Sequence, residues 1–140
     1  MGKNVIGVFP IIAAIVSIWA FSGCTTYVGL KPVYPEAKAF SPVLVDSLQP
    51  TFKWEEPRPG GNVDLIIWES VDKNIRGDVV YYKENISGGA HHIEKSLQPN
   101  SLYFWSFRPT GTTGWSFTSF HYVIIMNTYV NYFLIKTPKQ

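Results

Sequence analysis

A single cysteine is all the thiol this chain has, so no disulfide can form within it and packing alone must hold an exported domain together. Charge is nearly balanced as well, with 12 Lys and Arg against 10 Asp and Glu, and no basic block or stripe stands out. Nucleic-acid binding and electrostatic attachment to a membrane surface therefore have nothing to rest on. His91-His92 are neighbours, and neighbours on a strand point to opposite faces, so they cannot chelate one ion. His121 is remote from them, and no Cys/His/Asp cluster has ligand spacing, so neither a metal nor any other cofactor is expected. Glu55-Glu56 reads as a solvated loop entry rather than an acid/base pair. Gly114-Trp115-Ser116-Phe117 lacks the second glycine of a nucleophile elbow, and Gly60-Gly61 and Gly88-Gly89 lack the lysine and helix start of a phosphate loop. No catalytic residue is visible, and the chain does not read as an enzyme.

What is present begins at the N-terminus. Lys3 supplies a short positive start, and Val5 to Phe21 then runs without a charge. The small residues Ser22 and Gly23 lead into Cys24, which completes the pattern of a secretory signal peptide. Phe21-Ser22-Gly23-Cys24 resembles the lipobox of bacterial lipoproteins, with Phe21 where an aliphatic residue is usual. The resemblance implies that residues 1–23 are removed and that Cys24 becomes the multiply acylated first residue. Two or more acyl chains hold a protein stably on a bilayer, whereas one holds it marginally. Thr25 follows, and a residue other than aspartate there implies the outer membrane where two membranes exist. Two other readings stay open: an uncleaved anchor, since about 17–25 apolar residues span a bilayer, and a secreted protein with a chance cysteine.

Removing residues 1–23 from the 140 leaves 117, a comfortable size for one domain. Residues 24–40, with Pro32 and Pro35, read as a lipidated tether extended by its prolines. From Ser41 onward short apolar runs alternate with turn clusters, and no stretch sustains a capped helical period. Pro42–Asp46, Thr51–Glu55, Asp64–Glu69, Val79–Lys83, His91–Ser96 and Leu102–Arg108 are the predicted strands, the third central because its middle is apolar on both faces. Twenty-two aromatic residues (nine Phe, eight Tyr and five Trp) provide the packing surface. Short strands at this spacing predict an all-β sandwich or barrel.

Two separated motifs resemble the fibronectin type III module. Phe52-Lys53-Trp54-Glu55-Glu56-Pro57 sets a tryptophan at an inward strand position before a proline-rich loop, and Leu97-Gln98-Pro99-Asn100-Ser101-Leu102-Tyr103 opens a strand with a leucine, a proline and a tyrosine. The resemblance spans residues 41–138. It implies an Ig-like β-sandwich in which Tyr103 forms a tyrosine corner over Leu97 and Trp54 fills the centre, near Leu65 or Ile67 and Phe104 or Phe107. Trp115 to Ile135 leaves room for two strands where such a module has one. That segment reads as an extended C-terminal hairpin, Trp115 to Met126 and Tyr129 to Lys136, turning near Asn127-Thr128.

The hairpin holds the candidate binding residues. Trp115, Phe117, Phe120, Tyr122, Ile124 and Tyr132 carry more apolar surface than one sandwich edge needs. They either complete the core and cover an open edge or form an interaction patch. The expected function is a lipid-anchored module of the cell envelope, an accessory subunit engaging another envelope protein. The alternative is a lipoprotein that binds glycan or peptidoglycan.

Overall fold

The computed structural model describes residues 23–38, 41–72, 74–122 and 127–140. The region is all-β, with no helix among the described residues. Its strands run in chain order: β1 (Gly23–Val28), β2 (Pro32–Tyr34), β3 (Val43–Leu44), β4 (Thr51–Trp54), β5 (Val63–Asp72), β6 (Ile75–Ile86), β7 (Ala90–His92), β8 (Leu102–Pro109), β9 (Phe117–Tyr122), β10 (Asn127–Asn131) and β11 (Phe133–Lys136). A five-stranded sheet, ordered β3-β11-β8-β5-β6, packs its inner face on the sheet β2-β4-β7, and a third sheet is ordered β1-β9-β10.

Period-two alternation builds the sandwich. Along β5, Val63, Leu65 and Ile67 point inward, and along β8 Tyr103, Trp105 and Phe107 do the same. Phe133 and Ile135 of β11 join them, opposed by Phe52 and Trp54 of β4. The centre is aromatic: Phe52 meets Trp105 at 4.6 Å between ring centroids, Trp54 stacks on Phe107 at 5.6 Å, and Phe133 lies 5.1 Å from Trp105. Such pairs add about 0.5–1.5 kcal/mol each beyond the area they bury. Trp54 thus sits in the core beside Phe107, while Phe104 faces the other side of the sheet.

Tyr103 and Leu97 are both buried in this core. The Tyr103 hydroxyl accepts a 3.0 Å hydrogen bond from the backbone N–H of Gln98, five residues upstream, which is the geometry of a tyrosine corner. Thr137 closes the neighbouring chain end by accepting from the Ser101 N–H at 2.8 Å and donating to the Gln98 carbonyl at 2.6 Å.

Three features differ from the reading of the sequence. The first part of the segment 24–40, read as tether, carries two paired strands: β1 lies antiparallel to β9 and β2 to β4. The segment is fastened at Gly29, whose φ of +89° suits glycine and where a Cβ would meet the Ser116 hydroxyl at 2.5 Å. That hydroxyl accepts the Leu30 N–H at 2.9 Å. Second, the C-terminal hairpin is divided between sheets. β9 pairs with β10 but β11 pairs with β8, and the break falls at Tyr132. Third, Asn127 pairs with Tyr122 and Thr128 with His121, so these two residues open β10 instead of making the turn.

The long β6 is an edge of the five-stranded sheet, a position that invites pairing with another chain. Register shifts against β5 interrupt its regularity, and the Lys95 ammonium donates to its Val80 carbonyl at 3.1 Å. The strand is thereby guarded against edge-to-edge association.

Tyr103→Phe deletes the acceptor for the Gln98 N–H without emptying the core, and urea denaturation should register a loss of about 1 kcal/mol. Gly29→Ala is expected to loosen residues 23–34 from the domain, read as faster amide exchange in β1 and β2 and in the strands they pair with, β9 and β4.

Candidate functional site: an aromatic layer on the outer face

The alternation that fills the sandwich also sends bulky side chains to the opposite face of the five-stranded sheet. Ile66 and Trp68 of β5, Phe104 of β8 and Leu134 of β11 form a second buried cluster there. Leu102, Trp115 and Tyr132 pack against it, each only half-buried. Trp115 meets Trp68 edge-on at 5.9 Å and Tyr82 at 6.2 Å, while Tyr132 lies 5.3 Å from Trp68 and 6.4 Å from Phe117.

Two arginines complete the layer. The Arg76 guanidinium sits 4.8 Å from the Trp68 ring centroid and 4.2 Å from that of Tyr132. Arg108 lies 4.2 Å from the Trp115 ring while its Nε donates to Asp64 Oδ2 at 3.1 Å. Each such cation–π contact is worth about 0.5–1 kcal/mol when exposed and more when desolvated. Arg108 therefore fixes where Trp115 stands, and Asp64 fixes Arg108.

Asp64 is itself buried, and three groups satisfy its carboxylate. Burial alone would raise its pKa. The Thr110 hydroxyl at 2.7 Å, the Asn85 N–H at 3.1 Å and the Arg108 guanidinium outweigh that effect and hold the carboxyl below its ordinary value of 3.8. At the rim, Tyr82 donates to Glu84 at 2.6 Å, and that bond to a carboxylate raises the tyrosine pKa above 10.0.

Pairing with β5 places exposed residues beside the layer. Val79 stands opposite Trp68 and Tyr82 opposite Ile66, and both are about half exposed (52% and 42%). The surface thus presents Val79, Tyr82, Trp115 and Tyr132 between two guanidinium groups. Large rings held rigidly next to arginine are the commonest composition of a protein-binding hot spot.

The residues singled out from sequence divide among several places. Trp54, Leu97 and Tyr103 are core. Trp115, Phe117 and Tyr132 come together on the outer face. Phe120 and Tyr122 belong to β9, where they pair with Thr25 and Tyr129 and with Gly23 and Asn127, and Cys24 pairs with His121. Ile124 lies outside the described residues. His91 and His92 part as adjacent strand residues do: His91 Nε2 meets the Tyr81 hydroxyl at 2.7 Å, and His92 Nδ1 meets that of Thr51 at 3.1 Å. Among the described residues no three metal-binding side chains converge.

Sequence inspection passed over Trp68, Arg76, Val79, Tyr82 and Arg108. The outward parity of Trp68 against Leu65 and Ile67, and of Arg108 against Trp105 and Phe107, was the signal that could have found two of them. A separate cleft of about 500 Å3 lies at one end of the sandwich, lined by Pro57 and Pro109 together with Arg58, Asn62, Asn85 and Thr110. No protein-family model matches the chain, and no curated protein or solved structure matches it either.

The Asp64 carboxyl stabilises the fold fully above its ordinary pKa of 3.8, and that contribution is lost as pH falls through the lowered folded value. Asp64→Asn should cost about 1–2 kcal/mol at neutral pH. It should also flatten the acid-side decline of the urea midpoint between neutral pH and pH ~2.

Proposed function

We propose that the chain is a lipid-anchored binding module of a bacterial cell envelope, an accessory subunit that engages another envelope protein through the outer face of its five-stranded sheet. One observation carries the proposal: Trp115, Tyr132, Tyr82 and Val79 stay partly exposed on a rigid sheet while Arg76 and Arg108 hold the rings in place. Preset side chains lose little entropy on binding, and desolvated aromatic and arginine groups supply most of the energy of an interface. The guarded β6 edge favours contact through the face over strand addition.

The anchor in this reading is acylated Cys24, after removal of residues 1–23, with the outer membrane as the destination. The domain is of the fibronectin type III kind. The Gln98–Tyr103 hydrogen bond, Leu97 beneath it and Trp54 against Phe107 support that likeness. Glycan binding is the second reading, favoured by the polar cleft between Asn62, Asn85 and Thr110.

Labelled fatty acid should appear on the wild type and be absent from Cys24→Ala; label persisting on that variant would contradict acylation at Cys24. Val79→Asp and Tyr82→Ala should each abolish a stoichiometric, detergent-resistant partner in envelope extracts, the first with the melting temperature nearly unchanged and the second with a loss of a few degrees, because the Tyr82 ring also meets Trp115. Retention of the partner by both variants would remove the face from consideration. Quenching of tryptophan fluorescence by peptidoglycan fragments, lost on Asn62→Ala, would instead favour the glycan reading.

A further inference from the structure

The charged side chains of the outer face are not equivalent. Arg108 donates to Asp64 Oδ2 at 3.1 Å and to the Tyr82 hydroxyl at 3.4 Å, and that hydroxyl donates in turn to Glu84 at 2.6 Å. These charges are compensated within the domain. Arg76 differs. It stands opposite Ser70, past the last β5–β8 pair at Glu69 and Tyr103, where the β5–β6 arm projects beyond β8. The residue is exposed, and its guanidinium lies over the Trp68 and Tyr132 rings. Rings attract the charge but offer its N–H groups no oxygen. Among the described residues no carboxylate is within ion-pair distance of Arg76.

A guanidinium held over aromatic rings has lost part of its freedom before any partner arrives. Its planar fork matches a carboxylate through two parallel hydrogen bonds. The rings also keep water from one side of the cation, which strengthens a charge interaction made on the other. Val79, opposite Trp68 and about half exposed, sets an apolar group beside this arrangement. Asp72 and Asp78 are exposed on the same arm. They repel a broadly acidic surface, so the site favours one carboxylate in apolar surroundings over a polyacidic stretch.

We propose that the protein engaged by the outer face presents an aspartate or glutamate next to an apolar side chain, the carboxylate meeting Arg76 and the apolar group covering Val79 and Tyr132. The inference rests on the outer-face reading and adds the chemistry of the partner to it. Arg76 then determines specificity, and the Trp68 and Tyr132 rings position it.

Panning a random peptide library on the full chain in detergent micelles tests this before any partner is identified. The wild type should select peptides in which Asp or Glu adjoins an apolar residue. Arg76→Gln should bind those peptides about tenfold more weakly, and Arg76→Glu should select Lys or Arg in place of the acid. A merely structural role for Arg76 would not reverse the charge preference. Wild-type pools without acidic enrichment, or the same acidic peptides selected by Arg76→Glu, would overturn the proposal. Self-association of the full chain that Arg76→Glu abolishes would also overturn it, by making a second copy the occupant. The two readings fail separately. An envelope partner lost on Val79→Asp but retained by Arg76→Glu would keep the face and sink the carboxylate. Acidic peptides that depend on Arg76 yet are not displaced by the envelope partner would do the reverse.

Discussion

The pairing of Val63–Asp72 with Leu102–Pro109 holds two hydrophobic layers at once, and the rest of the molecule is arranged around it. Leu65 opposite Phe107 and Ile67 opposite Trp105 face the sandwich core, while Trp68 opposite Phe104 faces the outer layer. A slip of one residue would turn Ser106 and Arg108 into the core and Trp105 and Phe107 out of it. Register is thus specified from both faces of the sheet. The Asp64–Arg108 pair fixes the end of the ladder and carries that precision out to Trp115.

The outer layer serves folding, and in the proposed function the same layer serves recognition. Trp68, Phe104 and Leu134 need a cover, and the chain supplies it from Trp115 and Tyr132, which flank the β9–β10 arm. That cover is incomplete, so the residues that protect the sheet are also the ones that meet solvent. Core completion and partner binding are usually rival explanations for surplus aromatics. Here the buried rings serve the first and the half-exposed rings of the same layer are available for the second. Arg76 and Arg108 lie over these rings and add cation–π attraction to their packing.

How much of this could be read from the residues follows from what local pattern encodes. Alternation on Leu102–Arg108 and Thr51–Glu55 announced their strands, and the Leu97–Tyr103 spacing announced the corner bond. Faces are local properties, and they were legible. Partners are not. Arg108 reaches Asp64 across 44 positions, and nothing near either residue marks the other. The start of β6, Ile75 to Asp78, holds Gly77 and looks like loop; adjacency to β5 makes it a strand. Residues 24–40 looked like a tether because their prolines and sparse apolar pattern lack periodicity. Their β1 and β2 acquire structure from β9 and β4, which lie elsewhere in the chain.

The central claim is that an anchored sandwich offers one particular face to a protein partner. Site-specific photo-crosslinking in cells tests it most directly, with a photoreactive phenylalanine analogue at position 82 on the outer face and at position 33 on β2 of the opposing sheet, where Val33 is also exposed. The account predicts a covalent adduct with one envelope protein from position 82 and none from position 33. No adduct from position 82, or the same adducts from both positions, would contradict it.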